Sequence, residues 1–233
     1  MEIKMKVRIT DSPKEAADFA KRNIPYIVIL NDWNRDKAFP GGAYCVEDAK
    51  DIDDVYLDRV YRRFKGIPWD ITETARLKIR EITVGDVPRL YELYADESVT
   101  RYMEPLFPEQ EKELEYTRAY IKNVYEFYGY GMWVIVLKES GEVIGRVGLE
   151  SKEGMDGLEL GFMLGVQYQH LGYAREACGA VLAYAGRELG AERFYALVNR
   201  ENTASIRLCE RLGFKMNTCS DTGMVIMYNM VHD

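Results

Sequence analysis

The stretch Leu158-Glu159-Leu160-Gly161-Phe162-Met163-Leu164-Gly165-Val166-Gln167-Tyr168-Gln169-His170-Leu171-Gly172-Tyr173-Ala174 decides how the chain is read. Its first seven residues read as a strand, and Gln169-x-x-Gly172-x-Ala174 opens a long amphipathic helix over about Tyr173 to Leu189. Backbone N–H groups at a helix start lack partners, and the helix dipole adds partial positive charge there. Small residues let a diphosphate approach the main chain, so such a turn is a ready-made anion site. His170 contributes through its backbone N–H, with its ring turned to solvent. Taken alone, the pattern also describes a tight strand-to-helix turn that binds nothing.

On the N-terminal side, Leu77 to Ile82 reads as a strand and Asp86 caps a helix carrying Val87, Leu90, Tyr91 and Tyr94. A broken helical stretch with Pro105 and Pro108 precedes a helix over Glu109 to Tyr128. Two strands follow, Met132 to Lys138 and Val143 to Glu150, with turns at Glu139-Ser140-Gly141 and Gly154 to Gly157 leading into Leu158. On the C-terminal side come a strand over Phe194 to Val198, a helix over Thr203 to Leu212 stopped by Gly213, and strands near Phe214 to Thr218 and Met224 to Met230. The expected class is α+β, with a mixed, largely antiparallel sheet flanked by helices.

Residues 1–70 are expected to form a separate small α/β unit and residues 76–233 the main domain, linked by Gly66 to Ala75. Ser12-Pro13-Lys14-Glu15 predicts a helix start with Ser12 as cap and Glu15 completing a capping box; Asn23 stops that helix. Tyr26 to Leu30 predicts a buried strand, Asn31 to Gly42 a loop and Ala43 to Val46 a third strand. Asp53 to Lys65 predicts a helix with Tyr56, Val60 and Phe64 on one face.

Bulk properties narrow the function. The 233 residues are 47% hydrophobic and 30% charged, as in an ordinary globular protein. The longest strongly apolar run, Tyr26 to Leu30, is too short to span a bilayer, and the start lacks the apolar stretch of a signal peptide, so no membrane role and a cytoplasmic location are expected. Cys45, Cys178, Cys209 and Cys219 show no Cys-x-x-Cys spacing, and His170 and His232 are the only histidines, which argues against a metal site or a disulfide framework. Residues 1–70 carry 13 basic and 13 acidic side chains, whereas 71–233 carry 18 against 25, so the whole net charge of −7 lies in the larger part. Such a domain is a poor electrostatic partner for nucleic acid and a reasonable one for a cationic amine.

The order Glu159 to Leu164, the turn, Ala191-Glu192-Arg193-Phe194, Asn199-Arg200-Glu201-Asn202-Thr203-Ala204-Ser205-Ile206 and Glu210-Arg211-Leu212-Gly213-Phe214 resembles the GNAT superfamily of N-acetyltransferases. More narrowly, it resembles the branch containing the ribosomal-protein N-terminal acetyltransferases and their relatives. Leu77 to Glu81 and Gly141 to Leu149 share the likeness, which covers about two thirds of the chain. The resemblance implies acetyl-CoA as co-substrate and a GNAT fold. Pantetheine would lie in a slot between the strand of Glu159 to Leu164 and that of Phe194 to Val198. The implied cofactor-binding residues are Met163, Leu164, Val166, Gln169, His170, Leu171, Gly172, Tyr173, Ala174 and Asn202. A backbone N–H near Met163, freed at a bulge that Gly161 and Gly165 permit, would polarise the thioester carbonyl.

The reaction wants a base for the amine and an acid for the departing thiolate. Glu159 is the candidate base, with a structural ion pair or an amine anchor as its alternatives. Ser205 resembles the hydroxyl that protonates sulfur in the family, and Asn202 the pantetheine-contacting asparagine; both also suit ordinary helix capping. Tyr116, Tyr120, Tyr125, Tyr128 and Tyr130 cluster where relatives hold the acceptor, and most of such a stripe is core. Cys178 and Cys209 read as buried apolar residues, since direct transfer needs no acyl-enzyme. The expected acceptor is a protein N-terminus or a small-molecule primary amine, and the chain is read as a possible homodimer. The competing reading is an acyl-CoA-binding sensor without turnover.

Overall fold

A computed structural model describes residues 6–41, 44–219 and 223–230, and the chain divides into two compact units, Met1–Trp69 and Asp70–Asp233. Gly42, Ala43 and His232 lie outside the described residues, as does the side chain of Cys219.

The first unit is a three-stranded parallel sheet in sequence order, β1 (Arg8–Thr10), β2 (Tyr26–Ile29) and β3 (Tyr44–Val46). Helices α1 (Pro13–Lys21) and α2 (Asp54–Lys65) cover its two faces. Alternation along β2 divides its core: Ile27 packs with Val7, Leu57 and Val60, while Tyr26 and Val28 pack with Ala16 on the other face. Ser12 caps α1 by accepting the Glu15 N–H, and Asn23 ends the helix at φ 55°. The Glu15 carboxylate takes a hydrogen bond from the Thr10 hydroxyl at 2.6 Å, and the Ser12 N–H also goes to that hydroxyl, so the expected capping box is replaced by a Thr10 relay. The buried stripe of α2 is Leu57 and Val60; Phe64 is only half-buried.

The second unit is built on an eight-stranded sheet in the order β10-β11-β9-β8-β7-β6-β5-β4. Its strands are β4 (Asp70–Glu73), β5 (Leu77–Arg80), β6 (Met132–Leu137), β7 (Val143–Glu150), β8 (Leu158–Leu164), β9 (Arg193–Asn199), β10 (Lys215–Cys219) and β11 (Met224–Met230). Every neighbouring pair is antiparallel except β8 and β9. Asp70–Glu73, expected within the link, is therefore an edge strand of the larger sheet. Helices α3 (Val87–Tyr94), α4 (Glu97–Thr100), α5 (Gln110–Tyr120) and α6 (Glu126–Tyr128) join β5 to β6, with a π-helical turn over Ile121–Tyr125 between the last two. Helix α7 (Tyr173–Leu189) joins β8 to β9, and α8 (Thr203–Arg211) follows β9.

Pairing register fixes which side chains face which helices. Trp133 stacks edge-on against Tyr184 of α7, whereas Arg146, one pairing row away, faces Tyr94 of α3. Successive rows alternate between faces, so α7 and α3 lie on opposite sides of the sheet. Asp86 does not cap α3 with its side chain: its carboxylate turns back to accept from the Thr83 N–H (2.7 Å), the Thr83 hydroxyl (2.8 Å) and both ends of the Arg80 fork.

Candidate active site

The sheet opens at its centre. β8 and β9 pair only at Leu158↔Phe194 and Glu159↔Tyr195; beyond that row they part. β8 remains bonded to β7 along its whole length, and β9 to β11. The gap therefore exposes one backbone edge of each strand while the other edge is held rigidly. The Gly165 N–H donates to the Ile144 carbonyl of β7 at 3.0 Å, and N–H groups alternate along a strand. The Met163 N–H consequently also faces β7, and the N–H groups of Phe162 and Leu164 face the gap. The pairing of β7 with β8 has no register shift, so it is divergence from β9, rather than a bulge, that frees these groups. The free amides near Met163 are therefore those of Phe162 and Leu164, since the Met163 amide itself lies on the β7 edge. At Gly161 an added Cβ would come within 3.2 Å of the Met132 sulfur, and at Gly165 within 2.5 Å of Leu93 of α3. The two glycines thus serve close packing of β8 against its surroundings.

At the open end of the gap the chain turns sharply. Val166–Tyr168 forms one 3-10 turn, the Gln169 side-chain amide donates to the Leu164 carbonyl at 3.1 Å, and His170 and Gly172 take φ of 60° and 85°. Helix α7 begins at Tyr173 with Gly172 as a cap that has no side chain to offer. Its first bond runs from the Glu176 N–H to the Gly172 carbonyl, leaving the N–H groups of Tyr173, Ala174 and Arg175 without partners in the helix. Leu171 is exposed and Val166 partly so. These amides sit beside the mouth of the gap, where a helix N-terminus favours an anion.

Sequence reading missed the arginine that steadies this turn. Arg76 donates from Nη1 to the Leu171 carbonyl at 3.1 Å, stacks over the Tyr173 ring with its guanidinium carbon 4.3 Å from the centroid, and pairs with Glu176 at 2.6 Å. Glu176 also accepts from the Thr74 hydroxyl at 2.5 Å. Burial opposes ionisation of Glu176, but these hydrogen bonds outweigh it and hold its carboxyl below the usual range. No local pattern points to it, because Arg76 lies 95 residues before its partner Leu171 in sequence.

Glu159 sits at the apex where the strands part. It stands in a single pairing row with Glu150, Tyr195, Tyr228 and Lys215, all directed to one face. Its carboxylate pairs with Lys152 at 2.6 Å. Tyr195 is wholly buried, and its hydroxyl has no hydrogen-bond partner among the described residues. Burial, and then the nearby Glu159 charge, push that phenol up to about 12. Asn202 caps α8, its side-chain oxygen accepting the Ser205 N–H at 3.1 Å, while Ser205 is half-buried in the first turn. Both follow directly on β9, at the open end of the gap.

On the α3 face, the Tyr120 hydroxyl accepts the Met132 N–H at 2.7 Å, and the Tyr125 hydroxyl donates to the Met132 carbonyl while accepting the Ile82 N–H. These two tyrosines therefore build the wall, whereas Tyr116 and Tyr128 are exposed and Tyr130 is half-buried. Cys178 and Cys209 are fully buried and their thiols are pushed up by desolvation. No cluster of three or more metal-ligating side chains occurs among the described residues, and no helix among them is long and apolar enough to cross a membrane.

A meander, a helix entered through a turn of free amides, and a central pair of splayed parallel strands define a class of acyl-group transferases. Residues 76–215 match the family described as acetyltransferase (GNAT) domain, and the chain belongs to that family. The uncharacterised N-acetyltransferase YnaD of Bacillus subtilis is 29% identical over 143 residues, 61% of this chain and 81% of the relative. A GNAT-family acetyltransferase from Bacillus anthracis superposes with TM-score 0.58 at 24% identity, covering 68% of this chain and 96% of that one. A RimL ribosomal-protein alpha-N-acetyltransferase in complex with coenzyme A gives TM-score 0.61 at 18% identity, covering 70% and 98%. At these identities the two structures share the fold. The family uses acetyl-CoA.

Proposed function

We propose that residues 70–233 transfer the acetyl group of acetyl-CoA directly to a primary amine, and that residues 1–69 form a separate unit not needed for the chemistry. The observation that carries the reading is the gap between β8 and β9, whose open end meets the unpartnered amides at the start of α7. The residues fit the co-substrate. A diphosphate meets the main chain of Gln169, His170, Leu171, Gly172, Tyr173 and Ala174. A pantetheine arm laid as an extra strand finds the Leu164 and Phe162 amides on one side and β9, with Asn202 beyond it, on the other.

The acyl carbonyl polarises against a β8 amide facing the gap, and Phe162 is the nearer donor to the apex. Glu159 acts on the amine as base or anchor, with Lys152 steadying one carboxylate oxygen. Ser205 is placed on α8 to return a proton to sulfur. In the step, the amine nitrogen bonds to the acyl carbon, the carbon–sulfur bond breaks, the amine proton leaves through Glu159 or water and the thiolate takes one up.

Thiol release from acetyl-CoA, followed across a broad panel of primary amines and N-terminal peptides, tests the proposal. Acceptor-stimulated release is expected. Tight acetyl-CoA binding with no stimulation by any amine would overturn it in favour of a sensor.

A further inference from the structure

We infer that the acceptor amine also bears a carboxylate, which Arg146 binds on the α3 face beside the thioester position. This deepens the transferase reading and rests on it.

Two other arginines of this unit are held by carboxylates. Arg80 grips both oxygens of Asp86 at 2.7 and 2.8 Å, and Arg76 is held by Glu176. Arg146 is different. It projects from the middle of β7, directly opposite Met163 on β8 and Val134 on β6, towards α3. Its one hydrogen bond among the described residues runs from Nη1 to the Tyr94 hydroxyl, at a long 3.4 Å. Its Nε is out of contact with solvent and has no partner among the described residues, although the residue as a whole keeps some exposure. No carboxylate lies within ion-pairing distance of it among the described residues. The groups around it are phenols, those of Tyr94, Tyr116, Tyr120 and Tyr125. Tyr120 and Tyr125 are already committed to the backbone.

A guanidinium desolvated among neutral groups is costly unless an anion completes the site. Nη1 is taken by Tyr94, which leaves the Nε–Nη2 edge. That edge presents two parallel N–H groups at the spacing of the two oxygens of a carboxylate, the arrangement in which arginine binds most selectively. Position agrees with chemistry. Arg146 stands on β7 at the level of Met163, and the cofactor's path lies on the far edge of β8. Two strand spacings of roughly 10 Å separate them, a span that an arginine side chain and a small amino acid bridge together. Farther along the same face stand the carboxylates of Glu150 and of Glu159, the latter paired with Lys152, and these suit the ammonium end. The acceptor class is therefore an amino acid, α or ω, rather than a simple alkylamine or polyamine.

The test compares matched acceptors, amino acids against their primary amides and against aminoalkyl phosphates of equal length, in thiol-release assays. The free acid is expected to exceed the amide by about 10–100-fold in kcat/KM, the range for losing a charge-assisted hydrogen-bonded contact, with the difference mostly in KM. Arg146→Gln should erase that preference, Arg146→Lys should keep part of it, and Tyr94→Phe, which removes only a neutral contact, should reduce it a few-fold. Titration calorimetry of N-acetylamino acids against their amides, with coenzyme A present, repeats the comparison without turnover. Binding of the N-acetyl acid that depends on Arg146 in a chain that turns over no amine would sink the transferase reading and leave the carboxylate site standing. Equal binding and equal rates for acid and amide, a preference for the phosphate, or a preference that survives Arg146→Gln would overturn the inference.

Discussion

Replacing Gly172 with valine tests the anion site at the point where backbone geometry and ligand path coincide. Gly172 has φ 85°, in the left-handed region that costs an L-residue roughly 1–2 kcal/mol. An added Cβ would stand 3.4 Å from Nη2 of Arg76, a contact the end of a flexible side chain can relieve, so backbone strain dominates the stability loss. At about 2–4 °C per kcal/mol for a domain of this size, the midpoint of thermal unfolding should fall by about 2–8 °C. Coenzyme A binding should fall further. The branched side chain stands over the amides of Tyr173 and Ala174, where one charge-assisted hydrogen bond is worth about 1.5–3 kcal/mol, or roughly 10–100-fold in affinity. Gly172→Ala separates the two effects, since it carries the same backbone strain with less obstruction. Titration calorimetry on the folded variants measures the affinities. A valine variant that is folded and binds coenzyme A as tightly as the parent would refute the assignment of the diphosphate to this turn.

Two other perturbations probe the frame and the chemistry. Asp86 is buried, which alone would raise its pKa, but Arg80 and Thr83 outweigh burial and hold its carboxyl below the ordinary 3.8. A depressed folded pKa contributes stability above the unfolded value that disappears as pH falls through the folded one, so stability should drop below about pH 4. Asp86→Asn should cost about 3 kcal/mol by denaturant titration at neutral pH and flatten that acid limb; an unchanged limb would show that other carboxyls set it. Ser205→Ala should lower kcat while leaving acetyl-CoA affinity near the parent's, because its N–H still caps against Asn202. An unchanged kcat in pre-steady-state thiol release would reduce Ser205 to a helix-start residue.

Much of this protein was readable along the chain. The capping residues Ser12 and Asn202, the left-handed stop at Asn23, and the strand periods of 132–137, 143–150 and 158–164 are local signals, and local physics fixes them. The turn at 169–174 was legible for the same reason: free amides at a helix start are a property of consecutive residues.

What only the tertiary structure decided concerns partners far apart in sequence. The direction of the Met163 N–H depends on its ladder with β7, and one residue of alternation moved the gap-facing donors to Phe162 and Leu164. Arg76 reaches the turn from β5's leading edge, and Arg146 meets Tyr94 across the sheet face, because strand order sets these neighbours. Sequence determines which groups are chemically capable; which of them are left unpaired, and therefore available to a ligand, is decided by the register and burial that folding imposes.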